Sequence, residues 1–419
     1  MTESQQQSQH QKELHARLWE MANDLRGNME AYEFKNYILG MIFYRYLSDN
    51  TTAFVEKLLE EIEENKDLLK NNFISTIYIG GGTPSAIKSE LIKKILDKIY
   101  DVSRIDKERV EITIEVNPGT ITKNNLQMYK DCGINRLSIG LQSTDDAILK
   151  EIGRIHNYNQ FLDTYKWAGE AGFENINVDL MLGLPGQDIE ILKNSLENVV
   201  NLKPIPNHIS VYSLIVEDGT KIEQRIDSGE LSLPDDEKER RQYHYMKNSL
   251  ELKGYKHYEI SNFAKPGFES KHNMNCWEQK QYVGFGVAAH SYVNGVRYAN
   301  TSDLKEYLNV DNKKSVENDM KNDFEVNFEN KNGFATIKTI EEIQNKLDME
   351  KEFMMLGLRK LDGVSISKFE QKFGENPIYL FRNELQKLVE EELIEIDLDD
   401  IKLTSKGLDL ANLVWEEFV

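Results

Sequence analysis

Five short apolar runs alternate with four helical patterns between residues 74 and 214, and this alternation limits the fold of the 419-residue chain more than any other feature. The runs lie near Ile74–Ile79, Val110–Val116, Arg136–Leu141, Asn175–Leu182 and His208–Leu214. Between them, apolar residues fall at helical spacing near Ala86–Tyr100, Lys123–Cys132, Gln160–Ala171 and Asp188–Leu202. Strand–helix alternation at this interval predicts a parallel α/β sheet, either a barrel or a doubly wound sheet. Such folds keep their sites at the C-terminal ends of the strands.

Those strand ends carry polar groups. The first run leads into Gly80-Gly81-Gly82-Thr83-Pro84. Glycine tolerates positive φ and lets the backbone approach a ligand closely. The stretch lacks the spacing of a dinucleotide fingerprint and the Lys-Ser/Thr of a P-loop. Glu115 ends the second run; its carboxylate can accept both hydroxyls of a ribose or cap the following helix. Gln142, after the third, offers a donor and an acceptor. Arg154 can grip a carboxylate bidentately or form a surface ion pair. Asp179 lies inside an apolar strand, which is costly unless a ligand or a buried Arg pairs with it. His290-Ser291 is not expected to be a base–nucleophile pair, because adjacent strand residues point to opposite faces.

The flanks differ in character. Residues 13–25 and 31–47 have the spacing of a helical hairpin with an aromatic core, and Phe54–Leu69 that of an acidic amphipathic helix. Residues 311–338 are rich in Asn, Lys, Asp and Glu and read as part of a linker. From residue 350 onward, three helical patterns, a hairpin at Ile394–Leu403 and a last helix suggest a winged-helix-like module.

The net charge of −20 argues against a nucleic-acid partner. Pro377–Glu392 has Arg382 and Lys387 against Glu384, Glu390, Glu391 and Glu392, so it would repel phosphates. No apolar run reaches membrane-spanning length, and the polar N-terminus is no signal peptide. The cysteines are two, Cys132 and Cys276. They predict a reducing cytoplasm rather than a disulfide framework, and they cannot supply a three- or four-thiolate metal site.

Two resemblances emerge from these residues. The segment LWEMANDLRGNMEAYEFKNYILGMIFYRYLSDN is similar to the N-terminus of the methylation subunit of type I restriction–modification systems. It stops near residue 52, and that family's Asn-Pro-Pro-Tyr/Phe box is missing. Phe54–Val419 resembles the radical S-adenosylmethionine proteins related to oxygen-independent coproporphyrinogen III oxidase, and within them the HemW type, regarded as heme chaperones. The motifs that carry this are GGGTPS, EVNPGT, RLSIGLQS, LKEIGRIHN, VDLMLGLPGQ, SKHNMNCW, GFGVAAHSY, EFMMLGLRKLDGVS and LTSKGLDL.

The second resemblance implies a partial (β/α) barrel of the radical S-adenosylmethionine type with a C-terminal winged-helix-like domain. The domains expected are a helical segment at 1–52, the barrel at 53–310, a linker at 311–349 and the C-terminal domain at 350–419. It also implies that Gly81, Gly82 and Thr83 bind the methionine amino group of S-adenosylmethionine and that Glu115 binds its ribose. Gln142, Arg154 and Asp179 supply further contacts. His272 and Cys276, in the stretch where His-Asn-x-x-Tyr-Trp is characteristic, become candidate heme ligands; the alternative for His272 is to hold a loop. Heme and heme-accepting apoproteins are the implied partners.

The chain departs from the family in one respect. The Cys-x3-Cys-x2-Cys loop that should hold a [4Fe–4S] cluster and the strand before it have no counterpart, and the helical segment stands there instead. Radical catalysis is therefore not expected, and S-adenosylmethionine should bind weakly. The missing strand should leave a sheet edge that the N-terminal helices would cover. Ala288 stands where Gly is usual and Glu217-Asp218 where Glu-Pro is usual. The alternative readings are an oxidase-like enzyme of porphyrin biosynthesis and a recombined chain with no selected activity.

Overall fold

A computed structural model describes residues 51–216, 219–309 and 338–419. The helical hairpin expected at 13–47, its covering of a sheet edge, and Glu217-Asp218 all lie outside these residues. The chain divides into two units, Met1–Glu60 and Glu61–Val419. Of the first, the described residues 51–60 are helical.

The second unit is built on a seven-stranded sheet. Strands β1 (Thr76–Ile79), β2 (Glu111–Val116), β3 (Arg136–Gln142), β4 (Asn175–Leu182) and β5 (His208–Ser213) run parallel in that order. A hairpin of β6 (Lys256–Glu259) and β7 (Asn262–Ala264) extends the sheet antiparallel, through β7 on β5. The parallel strands begin and end within a residue or two of the sequence expectation. Helices α1 (Ser89–Val102), α2 (Lys123–Asp131), α3 (Tyr158–Glu170) and α4 (Ile189–Val200) connect them. Each of the last three starts at a capping side chain: Thr122, Asn157 and Asp188 accept backbone N–H groups of the first turn.

The sheet curls into a half-barrel, and its register sorts the side chains. On one face Ile114, Leu137 and Ile176 stand side by side across β2, β3 and β4, and Val178 faces Ile209 on β5. These are fully buried, as the face under the helices must be. The opposite, concave face is polar. Tyr78, Thr113, Arg136 and Asn175 form one rung, and Ser138, Asn177 and His208 form the next.

β1 is the edge strand of this sheet among the described residues. Helix α5 (Asp236–Leu252) packs beside β4 and β5, and the short helix α6 (Lys271–Trp277) lies against β1. A second sheet joins β8 (His290–Val293), β9 (Val296–Asn300) and β10 (Lys338–Ile343). β10 lies inside the stretch expected to be a linker, 311–349. Its sequence, KTIEEI, is mostly exposed, so its composition is that of a loop while its backbone pairs with β9.

The C-terminal module holds α7 (Lys346–Gly357), α8 (Ile366–Phe373) and α9 (Arg382–Glu390), with β11 (Val364–Ser365), β12 (Ile394–Asp397) and β13 (Asp400–Leu403) in a small sheet. This is the winged-helix-like order. One expected helix, Ile378–Glu391, is in fact two, Pro377–Leu380 and α9, separated at Phe381. The Phe381 ring is buried between Phe369 and Phe418, so packing overrides helical continuity there. Among the described residues no helix is long and apolar enough to cross a membrane.

Candidate functional site

The three glycines after β1 serve different ends. A Cβ on Gly80 would collide with the Tyr78 ring and reach 2.8 Å from Glu115 Oε1, so that position is closed by neighbours. Gly81 and Gly82 have φ of 83° and 69°, and nothing lies within 4 Å of where their Cβ atoms would be. Their requirement is conformational, and the space before them is open to a ligand. Thr83 follows as the residue that starts a 3-10 turn, accepting the Ala86 N–H at 3.0 Å.

Glu115 holds this turn to β2. Its Oε2 accepts the Gly81 N–H at 3.1 Å, and its Oε1 accepts the Tyr78 hydroxyl at 2.8 Å. It caps no helix, since Thr122 caps α2. Burial, with the Glu115 charge beside it, pushes Tyr78 far above the phenol range, so it remains a donor.

Gln142 is a non-glycine residue at φ 69°, at the irregularity where β3 leaves its register with β4. It is buried, and its Oε1 has no hydrogen-bond partner among the described residues. A Cβ on Gly140 would come 2.9 Å from the Gln142 amide nitrogen, so Gly140 makes room for this conformation. Backbone strain of this kind gathers at ligand sites.

Arg154 is half-buried and makes no ion pair among the described residues, so it is not the surface ion pair that was one of its two readings. Burial pulls its pKa down while Tyr212 and Asp179 oppose. It stays a cation, as arginine does. Asp179 accepts from Asn177 Nδ2 at 2.6 Å. Burial raises its pKa to about 6, opposed by hydrogen bonds from Asn177 and Ser210. Tyr212 joins the group: its pKa is raised chiefly by burial and then by Asp179 and Glu115, with Gln142 and Arg154 opposing. Residues expected from four separate motifs thus converge at one end of the concave face.

The Asp179 shift has a consequence for stability. Its carboxyl ionises at about 6 in the fold against an ordinary 3.8. A raised value favours the protonated native state, so this stabilisation is complete below pH 3.8 and lost as pH rises through 6. The shift from 3.8 to about 6 corresponds to a cost of about 3 kcal/mol at neutral pH. Asp179→Asn is expected to raise the urea midpoint at pH 7 and leave it nearly unchanged at pH 3.5. An equal midpoint change at both pH values would contradict this.

His272 and Cys276 lie one turn apart on α6. Ser270 caps that helix, and the Glu111 carboxylate accepts the backbone N–H groups of Lys271 and His272, both at 3.1 Å. His272 Nδ1 lies 3.1 Å from the Thr76 hydroxyl, and its ring stacks on Tyr78 at 4.8 Å between centroids. Asn275 donates to Ser75 at 3.1 Å. Side chains of α6 thus dock on the edge strand. Burial, aided by the Arg136 charge, holds His272 below the usual imidazole range, with Glu111 opposing, so it is neutral at pH 7. In the tautomer that carries its proton on Nδ1 and donates it to Thr76, the Nε2 lone pair is left for a metal. The Cys276 thiol is pushed up by burial and so disfavours the thiolate a metal requires.

Tyr78, which sequence reasoning did not single out, joins the two candidate sites. It bonds to Glu115 and stacks on His272. Arg136, Asn177, His208 and Tyr212 were also missed. Their signal was available: in RLSIGLQ, NINVDLML and HISVYS the alternate positions are polar except Gly140 and Met181, within runs that read as buried. Elsewhere, Ser291 is buried and bonded by the Gly284 N–H, while His290 pairs with Glu341, so the two do not meet. Ala288 has φ 57°, where a methyl group costs roughly 1–2 kcal/mol.

A three-thiolate cluster does not fit these residues. Cys132 is buried beyond α2, with its thiol donated to the Tyr129 carbonyl at 3.3 Å, and Cys276 is on α6. Among the described residues no group of three or more His, Cys, Asp or Glu is placed to hold a metal ion.

Comparison with known proteins gives these residues a context. Residues 43–199 match the model of the Radical SAM superfamily, and residues 345–410 match that of the HemN C-terminal domain. The heme chaperone HemW of Lactococcus lactis subsp. lactis is 37% identical over 369 residues, covering 88% of this chain and 89% of the relative. The heme chaperone HemW of Bacillus subtilis is 38% identical over 346 residues, covering 83% and 86%. The solved structure of Escherichia coli coproporphyrinogen III oxidase (HemN), a radical SAM enzyme, is similar with a TM-score of 0.71. It is 22% identical, over 88% of this chain and 83% of that one, a likeness of fold.

Proposed function

Since the chain belongs to the HemW family of heme chaperones within the radical SAM superfamily, we propose that it binds heme and passes it to heme-accepting apoproteins in the cytoplasm, without radical chemistry. The observation that carries this reading is the neutral, Thr76-oriented imidazole of His272, stacked on the tyrosine that borders the glycine turn. His272 is the iron ligand in this reading. Cys276 is the second candidate and the less favoured one, because burial raises its thiol above the usual range.

The glycine turn is a remnant S-adenosylmethionine site. Gly81, Gly82 and Thr83 take the methionine amino group, Glu115 the ribose, and Gln142, Arg154 and Asp179 the remaining polar groups. The unpartnered Gln142 Oε1 and the unpaired Arg154 support this assignment. S-adenosylmethionine held there would lack the metal chelation that the family's cluster supplies, so its affinity is low. The likeness to coproporphyrinogen III oxidase is one of fold, and it lends no weight to an oxidase activity here.

Hemin titration tests the heme reading. The wild-type chain is expected to give a saturable Soret shift, and His272→Ala to weaken binding by tenfold or more, about 1.4 kcal/mol. Cys276→Ser is expected to leave the affinity within about twofold. Absence of saturable binding to the wild type would end the proposal.

A further inference from the structure

We propose that Arg136, with Thr113 beside it, is a carboxylate anchor on the concave face of the half-barrel and holds a propionate side chain of the bound heme. The inference rests on the heme reading above and extends it to a second point of attachment.

It starts from one rung of the sheet. Thr113, Arg136 and Asn175 stand side by side on β2, β3 and β4. All three carry buried polar atoms with no partner among the described residues: Thr113 Oγ1, Arg136 Nε and Asn175 Oδ1. Arg136 is 3% exposed, and among the described residues no ion pair reaches it and its Nε has no hydrogen-bond partner. An arginine cannot shed its charge, so burial of this guanidinium without a counter-ion is costly.

The next rung shows that this is not general under-bonding. Asn177 donates to Ser138 at 2.8 Å and to Asp179 at 2.6 Å, and its Oδ1 meets His208 Nδ1 at 2.6 Å. His208 Nε2 meets the Tyr258 hydroxyl at 2.7 Å. That rung is closed.

The carboxylates of the concave face are also engaged elsewhere. Glu111 takes the two N–H groups that open α6, Glu115 takes Tyr78 and Gly81, and Asp179 takes Asn177. None makes an ion pair with Arg136 among the described residues, although its charge reaches Asp179. The group assigned to complete the rung is an external anion with two acceptor oxygens. A planar carboxylate matches the guanidinium fork, and the Thr113 hydroxyl is a further donor. The Asn175 amide can turn either end toward it.

The anchor lies near the iron ligand. Tyr78 is the neighbour of Thr113 in the same rung, and the His272 ring stacks on Tyr78. The Arg136 charge bears on both Tyr78 and His272. Heme offers both chemistries at once, an iron for imidazole and carboxylates for arginine.

The test compares hemin with hemin dimethyl ester, whose carboxylates are masked, on the full chain in one buffer. The wild type is expected to bind hemin roughly tenfold or more tightly than the ester, the range of a buried charged hydrogen bond. Arg136→Gln is expected to bring that ratio close to one while the ester's affinity stays within about twofold of wild type. Arg136→Lys keeps the charge but not the fork, and is expected to restore part of the ratio. If the wild type binds both probes equally, the rung holds water only and the anchor is overturned while the heme reading stands. A ratio that survives in Arg136→Gln overturns it equally. Binding of neither probe overturns the heme reading and the anchor together. The wild-type comparison needs no variant, so a failure of Arg136→Gln to fold leaves the result intact.

Discussion

Anaerobic reconstitution with iron and sulfide is expected to leave this chain without a stoichiometric iron–sulfur cluster, and S-adenosylmethionine incubated with it under strong reductant is expected to stay whole. The argument is one of ligand number and ligand state. Clusters of this superfamily need three thiolates. The chain has two cysteines. Burial raises the thiol pKa of each, outweighing the Lys93 charge near Cys132. Loss of the cluster removes the electron that cleaves the sulfonium, so the effect on 5′-deoxyadenosine formation is complete. Iron and acid-labile sulfide analysis, with chromatography of the nucleoside product, checks it. A reducible cluster with near-stoichiometric iron would refute it. Calorimetry should likewise find S-adenosylmethionine affinity weaker than micromolar.

The second large effect concerns stability. Glu61→Ala is expected to cost about 3–5 kcal/mol, the range for breaking a buried ion pair from one side. Glu61 is 1% exposed and accepts three hydrogen bonds, from the Gly286 N–H at 2.9 Å, Asn300 Nδ2 at 2.8 Å and the Tyr307 hydroxyl at 2.9 Å. Lys338 Nζ lies 3.8 Å from its carboxylate, with its side chain 2% exposed. Burial pulls the Lys338 pKa down, and Glu61 and Glu64 oppose it. Alanine at 61 would leave that ammonium in a dry site with only the Glu64 charge to oppose burial, and three donors without an acceptor. Total stabilities are only about 5–15 kcal/mol, so the variant should approach the limit of folding. Urea unfolding followed by circular dichroism measures it. Glu61→Gln, which keeps an acceptor oxygen, should lose less. A Glu61→Ala midpoint close to wild type would refute the role of this group. The double variant Glu61→Leu with Lys338→Met, which removes both charges, should recover part of the loss.

Glu61 also shows what kind of information a linear reading misses. In the sequence it is one acid among several in an amphipathic helix. Its partners are more than 200 positions away, and one of them, Lys338, lies in a stretch whose composition reads as linker. Arg136 is a second case. Its neighbours Thr113 and Asn175 are set by strand register, and the emptiness of that rung is visible only when the bonding of the adjacent rung is known. His272 is a third. The motif marks it as a candidate, but whether its imidazole is neutral and oriented depends on Thr76 and Tyr78, which come from a strand nearly 200 residues earlier.

The sequence by itself determined whatever depends on local pattern or on counting. Short apolar runs and helical spacing placed the parallel strands and their connecting helices within a few residues, because both patterns are local to the chain. The glycines marked a turn at positive φ, because only they adopt it without strain. The cysteine count alone excludes a three-thiolate cluster. The tertiary structure decided what depends on separate strands meeting: that the helix carrying His272 docks on the edge strand, that Tyr78 joins His272 to the glycine turn, and that the buried Arg136 guanidinium makes no ion pair among the described residues. Such contacts follow from register and curvature, which arise from the packing of the whole sheet and are not written in any one strand.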